Sequence, residues 1–283
     1  LENKGIVSAR QSETTEWVYR LGIKNLDDLK TIEKPAFYDL RPSNKCNLLC
    51  RSCSPNDSHL IDKEYQELKL VPIKNLNIPK HKEGRFDLVE FDNISKLLVA
   101  GGEPTIMSEF FKFLEKCIAT GNTDFEVNVN TNGTQLSKRL KELVKQFKDF
   151  SWIFSIDGYK DINYYVRHPS NWNNIVENWR YHRSQKNTVT VNTTISIYNI
   201  DTLDILFHWI DKEFPNTLIN CEAVIMPTQL NPLLFPDRDA VLRSLERVML
   251  TNCYKNHHVL TTTIDSLYQQ FEERIEINMP LLK

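Results

Sequence analysis

From about residue 35 the chain alternates short runs rich in β-branched and aromatic residues with longer runs of helical periodicity. This alternation narrows the possible folds more than any other feature, because strands that alternate with helices form βα units around a parallel sheet. The expected strands are 36–40, 96–100, 125–130, 152–156, 188–196 and 218–225, six in all. Between them the expected helices are 108–120, 137–147, 172–184 and 202–213. In the third helix Trp172, Ile175, Val176 and Trp179 fall at i, i+3, i+4 and i+7. That spacing makes a stripe that packs on the sheet, so these tryptophans read as core and not as a stacking platform.

Residues 54–93 form a long, charged, proline-containing insertion with one expected helix at 57–68. Connections of this length are uncommon unless they have a task, such as covering a site. After residue 226 the strand pattern stops, and 237–250 and 262–277 read as helices. The expected organisation is a helical or irregular segment 1–34, an α/β unit 35–226 carrying the insertion, and a helical C-terminal extension 227–283. Neither a repeat nor a low-complexity tract interrupts this pattern.

With 283 residues, 41% of them hydrophobic and 25% charged, the chain can bury a substantial core. Lys plus Arg total 35 against 37 for Asp plus Glu, so no bulk field recruits nucleic acid. The basic stretch 74–85 also contains a proline and a glycine and reads as a solvated loop. No run approaches the ~20 apolar residues that span a bilayer. The start, Leu1-Glu2-Asn3-Lys4, lacks a hydrophobic signal region, so a cytoplasmic protein without membrane contact is expected. Of six cysteines, three crowd into eight residues, which points to a metal site and not to disulfides.

Those three are Cys46, Cys50 and Cys53, at CxxxCxxC spacing in the loop after the first expected strand. Thiolates are the usual ligands of iron–sulfur clusters, and a compact loop lets three of them reach three corners of one cubane. Zinc is the alternative, since it takes four ligands and His59 is near enough in sequence to be the fourth. The triplet alone leaves both open.

The other strand ends narrow the choice. Gly101-Gly102-Glu103-Pro104 follows the second expected strand, Thr131-Asn132-Gly133 the third, and Ser155-Ile156-Asp157-Gly158 closes the fourth. Each lies at the C-terminal edge, where βα barrels and open α/β sheets build their sites. In this order and spacing the set resembles the radical S-adenosylmethionine (SAM) superfamily, over roughly residues 36–226, and within it the branch that carries SPASM or twitch extensions.

That resemblance implies a partial (β/α)6 TIM-like barrel with a helical extension, and one [4Fe–4S] cluster held by Cys46, Cys50 and Cys53. SAM would chelate the remaining iron, and reductive cleavage would yield methionine and a 5′-deoxyadenosyl radical that takes hydrogen from a substrate. It implies an electron donor such as flavodoxin or ferredoxin. Gly101, Gly102 and Glu103 match the motif that holds the methionine ammonium, which suits a carboxylate and a close backbone approach. Ser155 and Asp157 match positions that touch the ribose or methionyl part. Arg167 matches a basic position that contacts the SAM carboxylate, and Asn192 is a further SAM candidate.

Two departures from the resemblance matter. Relatives often place an aromatic residue before the third cysteine, near the adenine, and here that residue is Ser52. Leu48, Leu49, Val224 and Ile225 are the substitute candidates. The extensions of the branch carry further clustered cysteines and a glycine-containing hairpin, whereas here only Cys117, Cys221 and Cys253 follow and no glycine comes after Gly158. One cluster is therefore expected. The implied substrate is a peptide or protein side chain, with a nucleotide, sugar or other small molecule as the alternative. A degenerate, non-enzymatic metal-binding barrel would have lost some SAM-facing motifs, yet all are present.

Overall fold

The computed structural model describes residues 35–69, 85–92 and 94–273. The segment expected at 1–34, most of the 74–85 stretch within the insertion, and the end of the helix expected at 262–277 lie outside these. The strands are β1 (Phe37–Leu40), β2 (Leu49–Cys50), β3 (Lys96–Val99), β4 (Glu126–Thr131), β5 (Asp149–Ser155), β6 (Arg167–His168), β7 (Thr188–Ile195) and β8 (Leu218–Ala223). Six of them form one parallel sheet in the order β1-β3-β4-β5-β7-β8, while β2 and β6 pair separately. Among the described residues no ladder joins β1 to β8, so the sheet is open, as in a partial (β/α)6 TIM-like barrel.

The helices are α1 (His59–Glu67), α2 (Ser108–Ala119), α3 (Lys138–Val144), α4 (Asp161–Val166), α5 (Trp172–Ser184), α6 (Leu203–Glu213), α7 (Arg238–Met249), α8 (Asn252–Asn256) and α9 (His258–Glu272). Local chemistry fixes several starts: Ser137, Asn171 and Asp237 each accept a backbone N–H of the first turn. The stripe on α5 packs as its spacing requires, with Ile175, Val176 and Trp179 buried. The Trp179 ring stacks on Phe214 at 4.0 Å.

Side chains alternate across each strand, and here the two faces differ in chemistry. Val127, Val129, Trp152, Phe154, Val191 and Ile195 are buried in the main core under the helices. The opposite, inner face carries Asn130, Ser155, Asn192 and Asn220, none of them buried. Strand register lines three of these up, with Ser155 beside Asn192 and Asn192 beside Asn220. An apolar wall and a polar lumen thus come from one period-2 pattern.

Two expected starts move by three residues or more. The strand expected at 152–156 begins at Asp149, because pairing with β4 starts there and Phe150 is buried. The helix expected at 262–277 begins at His258, where Leu260 is buried and the Thr261 and Thr262 hydroxyls bond back to the carbonyls of His257 and His258. The threonine run disguises that turn, since β-branched residues are weak helix formers. Residues of α7 and α9 share the core of the sheet, among them Leu245, Ile264 and Phe271. Among the described residues no helix is long and apolar enough to cross a membrane.

His182 on α5 is buried against Trp152, with ring centroids 4.2 Å apart. Burial pulls its pKa down to about 3, so the native state keeps the ring neutral. The unfolded chain takes up a proton near pH 6.5. The sign follows: this contribution is fully present above that value and is lost as pH falls toward the folded pKa. Relative to His182→Gln, the wild type should lose about 3 kcal/mol more unfolding free energy between about pH 7 and about pH 4, read by urea titration. Parallel pH profiles would show that His182 does not titrate differently in the two states.

Candidate active site

The cysteine loop leaves β1 at the C-terminal edge of the sheet and is held at every turn by its own backbone and side chains. Ser58 donates to the Leu48 carbonyl at 3.0 Å, Asn44 donates to the Pro55 carbonyl at 3.1 Å, and the His59 N–H donates to the Asn44 carbonyl at 2.8 Å. Cys46, Leu48, Cys50 and Cys53 form a small apolar cluster of their own, apart from the main core. Burial pushes the Cys46 thiol up to about 11. Cys50 and Cys53 are free thiols that interact electrostatically: Cys53 lowers Cys50, and Cys50 raises Cys53.

The loop that follows β3 is pressed against this segment. The N–H groups of Gly102 and Glu103 donate to the carbonyls of Ser43 and Lys45 at 3.0 and 2.7 Å. Gly101 has φ +90°, and a Cβ on Gly102 would lie 2.2 Å from the Lys45 oxygen. Only glycine fits such an approach. The close contact these glycines permit is therefore with the cysteine loop's own backbone.

Glu103 is fully buried. Its Oε1 accepts from Thr105 N at 3.1 Å, Thr105 Oγ1 at 2.6 Å and Thr131 Oγ1 at 2.7 Å, and its Oε2 accepts from Asn132 N at 2.7 Å. Burial raises its pKa against the opposing effect of these donors. Asn132 then donates to Asn47 Oδ1 at 2.8 Å, and Asn47 donates to Thr134 Oγ1 at 2.9 Å. One polar chain thus joins the GGEP loop, the TNG loop and the residue next to Cys46. The sequence motif implies that Glu103 faces a ligand, but the structure encloses it among donors of its own chain.

The fourth motif clamps the other side. β2 pairs antiparallel with β6, which sets Cys50 opposite Arg167. Arg51 N donates to the Val166 carbonyl at 2.8 Å, and the Arg51 guanidinium lies 3.9 Å over the Tyr165 ring. Arg167 Nη2 donates to Asp157 Oδ1 at 3.1 Å, and its Nε lies 2.7 Å from Oδ2 as an ion pair without hydrogen-bond alignment. Asp157 is fully buried and also accepts from Thr194 N at 2.8 Å. These two candidates engage each other. The short β2 and β6 ladder has no sequence signal, because two residues are too few to show a period.

Ser155 and Asn192 lie on the inner face, side by side in register. Ser155 Oγ donates to Asn130 Oδ1 at 3.0 Å, and Asn220 donates to Asn192 Oδ1 at 3.2 Å. Of the adenine candidates, Leu48 is buried within the cysteine cluster, whereas Ile225 is 73% exposed just past β8. Asn220 pairs in register with Asn192, and Asn130 meets Ser155 across β4 and β5; alternation within one strand does not reveal these cross-strand partners.

Three thiols of one loop make up the donor set. A zinc site needs four ligands converging on one ion. Among the described residues no group of three or more His, Cys, Asp or Glu is so arranged, and His59 Nδ1 already accepts from Cys46 N at 3.1 Å. A cubane needs only one thiolate at each of three separate irons, so three soft ligands from one enclosed loop fit it.

The Radical SAM superfamily family model matches residues 40–210. Among solved structures, a polyhistidine-tagged anSMEcpe with bound AdoMet is 15% identical with a TM-score of 0.55, covering 76% of this chain and 57% of that one. Native anSMEcpe with bound AdoMet is 14% identical with a TM-score of 0.53, covering 76% and 59%. SuiB of Streptococcus suis bound to S-adenosylmethionine is 15% identical with a TM-score of 0.49, covering 93% and 51%. The chain thus spans between half and three-fifths of the length of these structures. Comparison with curated proteins gives no match. The matched family covers more than half of the chain, on the strands whose ends carry the four motifs, and the chain belongs to the Radical SAM superfamily, whose cofactors are a [4Fe–4S] cluster and SAM.

Proposed function

We propose that this chain is an enzyme in which Cys46, Cys50 and Cys53 hold one [4Fe–4S] cluster and the polar lumen holds SAM. The observation that carries this reading is the enclosed three-thiol loop, clamped by the GGEP, TNG and SIDG loops on one sheet edge. When bound, that cofactor pair supplies a 5′-deoxyadenosyl radical by reductive cleavage of SAM, the electron coming from a donor such as flavodoxin or ferredoxin. The residues of this chain supply position. Ser155 and Asn192 offer a hydroxyl and a carboxamide to the ribose and methionyl groups, and Gly101 and Gly102 shape the backbone beside them. Val224 and Ile225, just past β8, offer apolar surface to the adenine, in place of the aromatic that Ser52 replaces.

Glu103 is assigned a positioning role. Its carboxylate gathers donors from two loops and, through Asn132, steadies Asn47 beside Cys46. The proposed substrate is a peptide or protein side chain. Two observations support this: a lumen of carboxamides and hydroxyls suits a hydrogen-bonding substrate, and an anSMEcpe structure with bound Kp18Cys peptide shares the fold at a TM-score of 0.53. A single cluster is proposed because the remaining thiols are buried apart. Burial raises Cys117 and Cys221 to about 12 each, and Cys253 donates to Asp211 Oδ1 at 2.6 Å.

Anaerobically reconstituted, dithionite-reduced protein should convert SAM to 5′-deoxyadenosine and methionine even without substrate, as read by chromatography. Cys46→Ala, Cys50→Ala or Cys53→Ala should each abolish both the brown chromophore and the product. An intact cluster that yields no product would sink the enzyme reading.

Iron analysis should give about four irons per chain, the content of one cubane. The Cys117, Cys221, Cys253→Ala triple variant should keep that number, and a drop would reveal a second cluster.

Glu103→Ala removes the acceptor of buried groups on Thr105, Thr131 and Asn132. It should lower the unfolding free energy of the metal-free chain by about 1–3 kcal/mol for each donor left dry. If Glu103 acted only on the SAM ammonium, urea melts would be unchanged and SAM affinity alone would fall.

A further inference from the structure

Arg167 is a cation that the fold builds into the cysteine site from a second chain segment. Its backbone is fixed opposite Cys50 by the β2 and β6 ladder. Its head is fixed by Asp157, through Nη2 to Oδ1 at 3.1 Å and Nε beside Oδ2 at 2.7 Å. Asp157 is itself immobilised from three directions: its N–H donates to Asn163 Oδ1 at 3.0 Å, its carbonyl accepts from Asn199 Nδ2 at 2.6 Å, and its Oδ1 accepts from Thr194 N at 2.8 Å. The Arg167 side chain is 12% exposed and that of Asp157 is 0% exposed, so little solvent screens the pair.

The guanidinium is paired with this carboxylate and shares a face of the two-residue ladder with Cys50. Directly opposed residues of an antiparallel ladder carry their side chains on one face, so Arg167 lies beside Cys50, where its charge lowers the Cys50 pKa, after the larger effect of Cys53, and opposes the rise at Cys53. For Arg167 itself, burial favours loss of the proton, but Asp157 and the two thiols together outweigh burial and raise its pKa. An arginine so engaged stays charged at any pH the protein meets. Asp157 acts on Cys50 in the opposite sense, by a smaller amount than Arg167.

We propose that Arg167, oriented by Asp157, sets the charge of the cluster environment and raises the reduction potential of the cluster bound by Cys46, Cys50 and Cys53. This rests on the reading that those cysteines hold a [4Fe–4S] cluster. Reduction adds one electron from an external donor, so the bound cluster becomes more negative by one charge. A fixed cation at the sulfurs stabilises that state, because cluster potentials respond to local charge and to hydrogen bonds at sulfur. Asp157 opposes the effect with its own charge and, through its contacts with Nη2 and Nε, orients Arg167. The role differs from a contact to the SAM carboxylate, since it operates before SAM binds.

The test is an EPR-monitored redox titration of the anaerobically reconstituted full chain without SAM, comparing wild type with Arg167→Gln, Arg167→Lys and Asp157→Asn. In Arg167→Gln the ratio of reduced to oxidised cluster at a fixed potential should fall about tenfold, a midpoint more negative by ~59 mV for a one-electron couple. Arg167→Lys should lie nearer the wild type, and Asp157→Asn should move the midpoint the opposite way, because it deletes the opposing charge. If Arg167→Gln does not assemble a cluster, the paired shifts of the other two variants decide. Midpoints equal to wild type in every variant that carries a cluster overturn the proposal, and a loss of SAM affinity with unchanged midpoints would return Arg167 to the carboxylate. A wild type that takes up no iron fails the cluster reading itself, and this inference with it.

Discussion

A carboxylate sealed from water is costly unless donors replace its hydration, and Glu103 is fully buried with four of them. The donors come from the turn after Glu103 and from the loop after β4, so satisfying this one group draws two strand ends together. Asn132 and Asn47 then carry the constraint into the cysteine loop. Hydrogen bonds to a charged group contribute about 1.5–3 kcal/mol each. The geometry of the cysteines therefore depends on a residue that touches none of them.

Asp157 plays the corresponding part on the opposite side, where a buried carboxylate holds Arg167 against β2. The loop is thus fixed from left and right by two buried acids at the ends of different strands. Such an arrangement suits a site in which three sulfurs must be in place before a metal arrives, because preorganised ligands lose less entropy on binding. It also accounts for the exposure of Arg51, which stacks on Tyr165 at the rim and leaves the enclosed volume to the thiols.

The inner face of the sheet completes the site. Parallel sheets covered on both faces carry near-continuous apolar strands, but here, among the described residues, helices cover one face. The other face is free to carry Ser155, Asn192 and Asn220 in register across three strands, with Asn130 of β4 accepting from Ser155. With β1 and β8 not joined by a ladder, that lumen is open along one side.

Periodicity and spacing alone determined the six parallel strands, the buried tryptophan stripe on α5, the burial of Cys117 and Cys221, and the gathering of four motifs on one sheet edge. Those properties are local or follow from βα alternation, which a single chain displays directly. Tertiary structure decided the partners. Glu103 pairs with residues about thirty positions away, Arg167 sits across from Cys50 on a two-residue ladder, and the glycines of GGEP meet backbone from the preceding loop. Buried polar groups take whichever donors the packed chain brings within about 3 Å. A motif therefore names the residues at a site, while only packing decides whether each faces a ligand or its own neighbours.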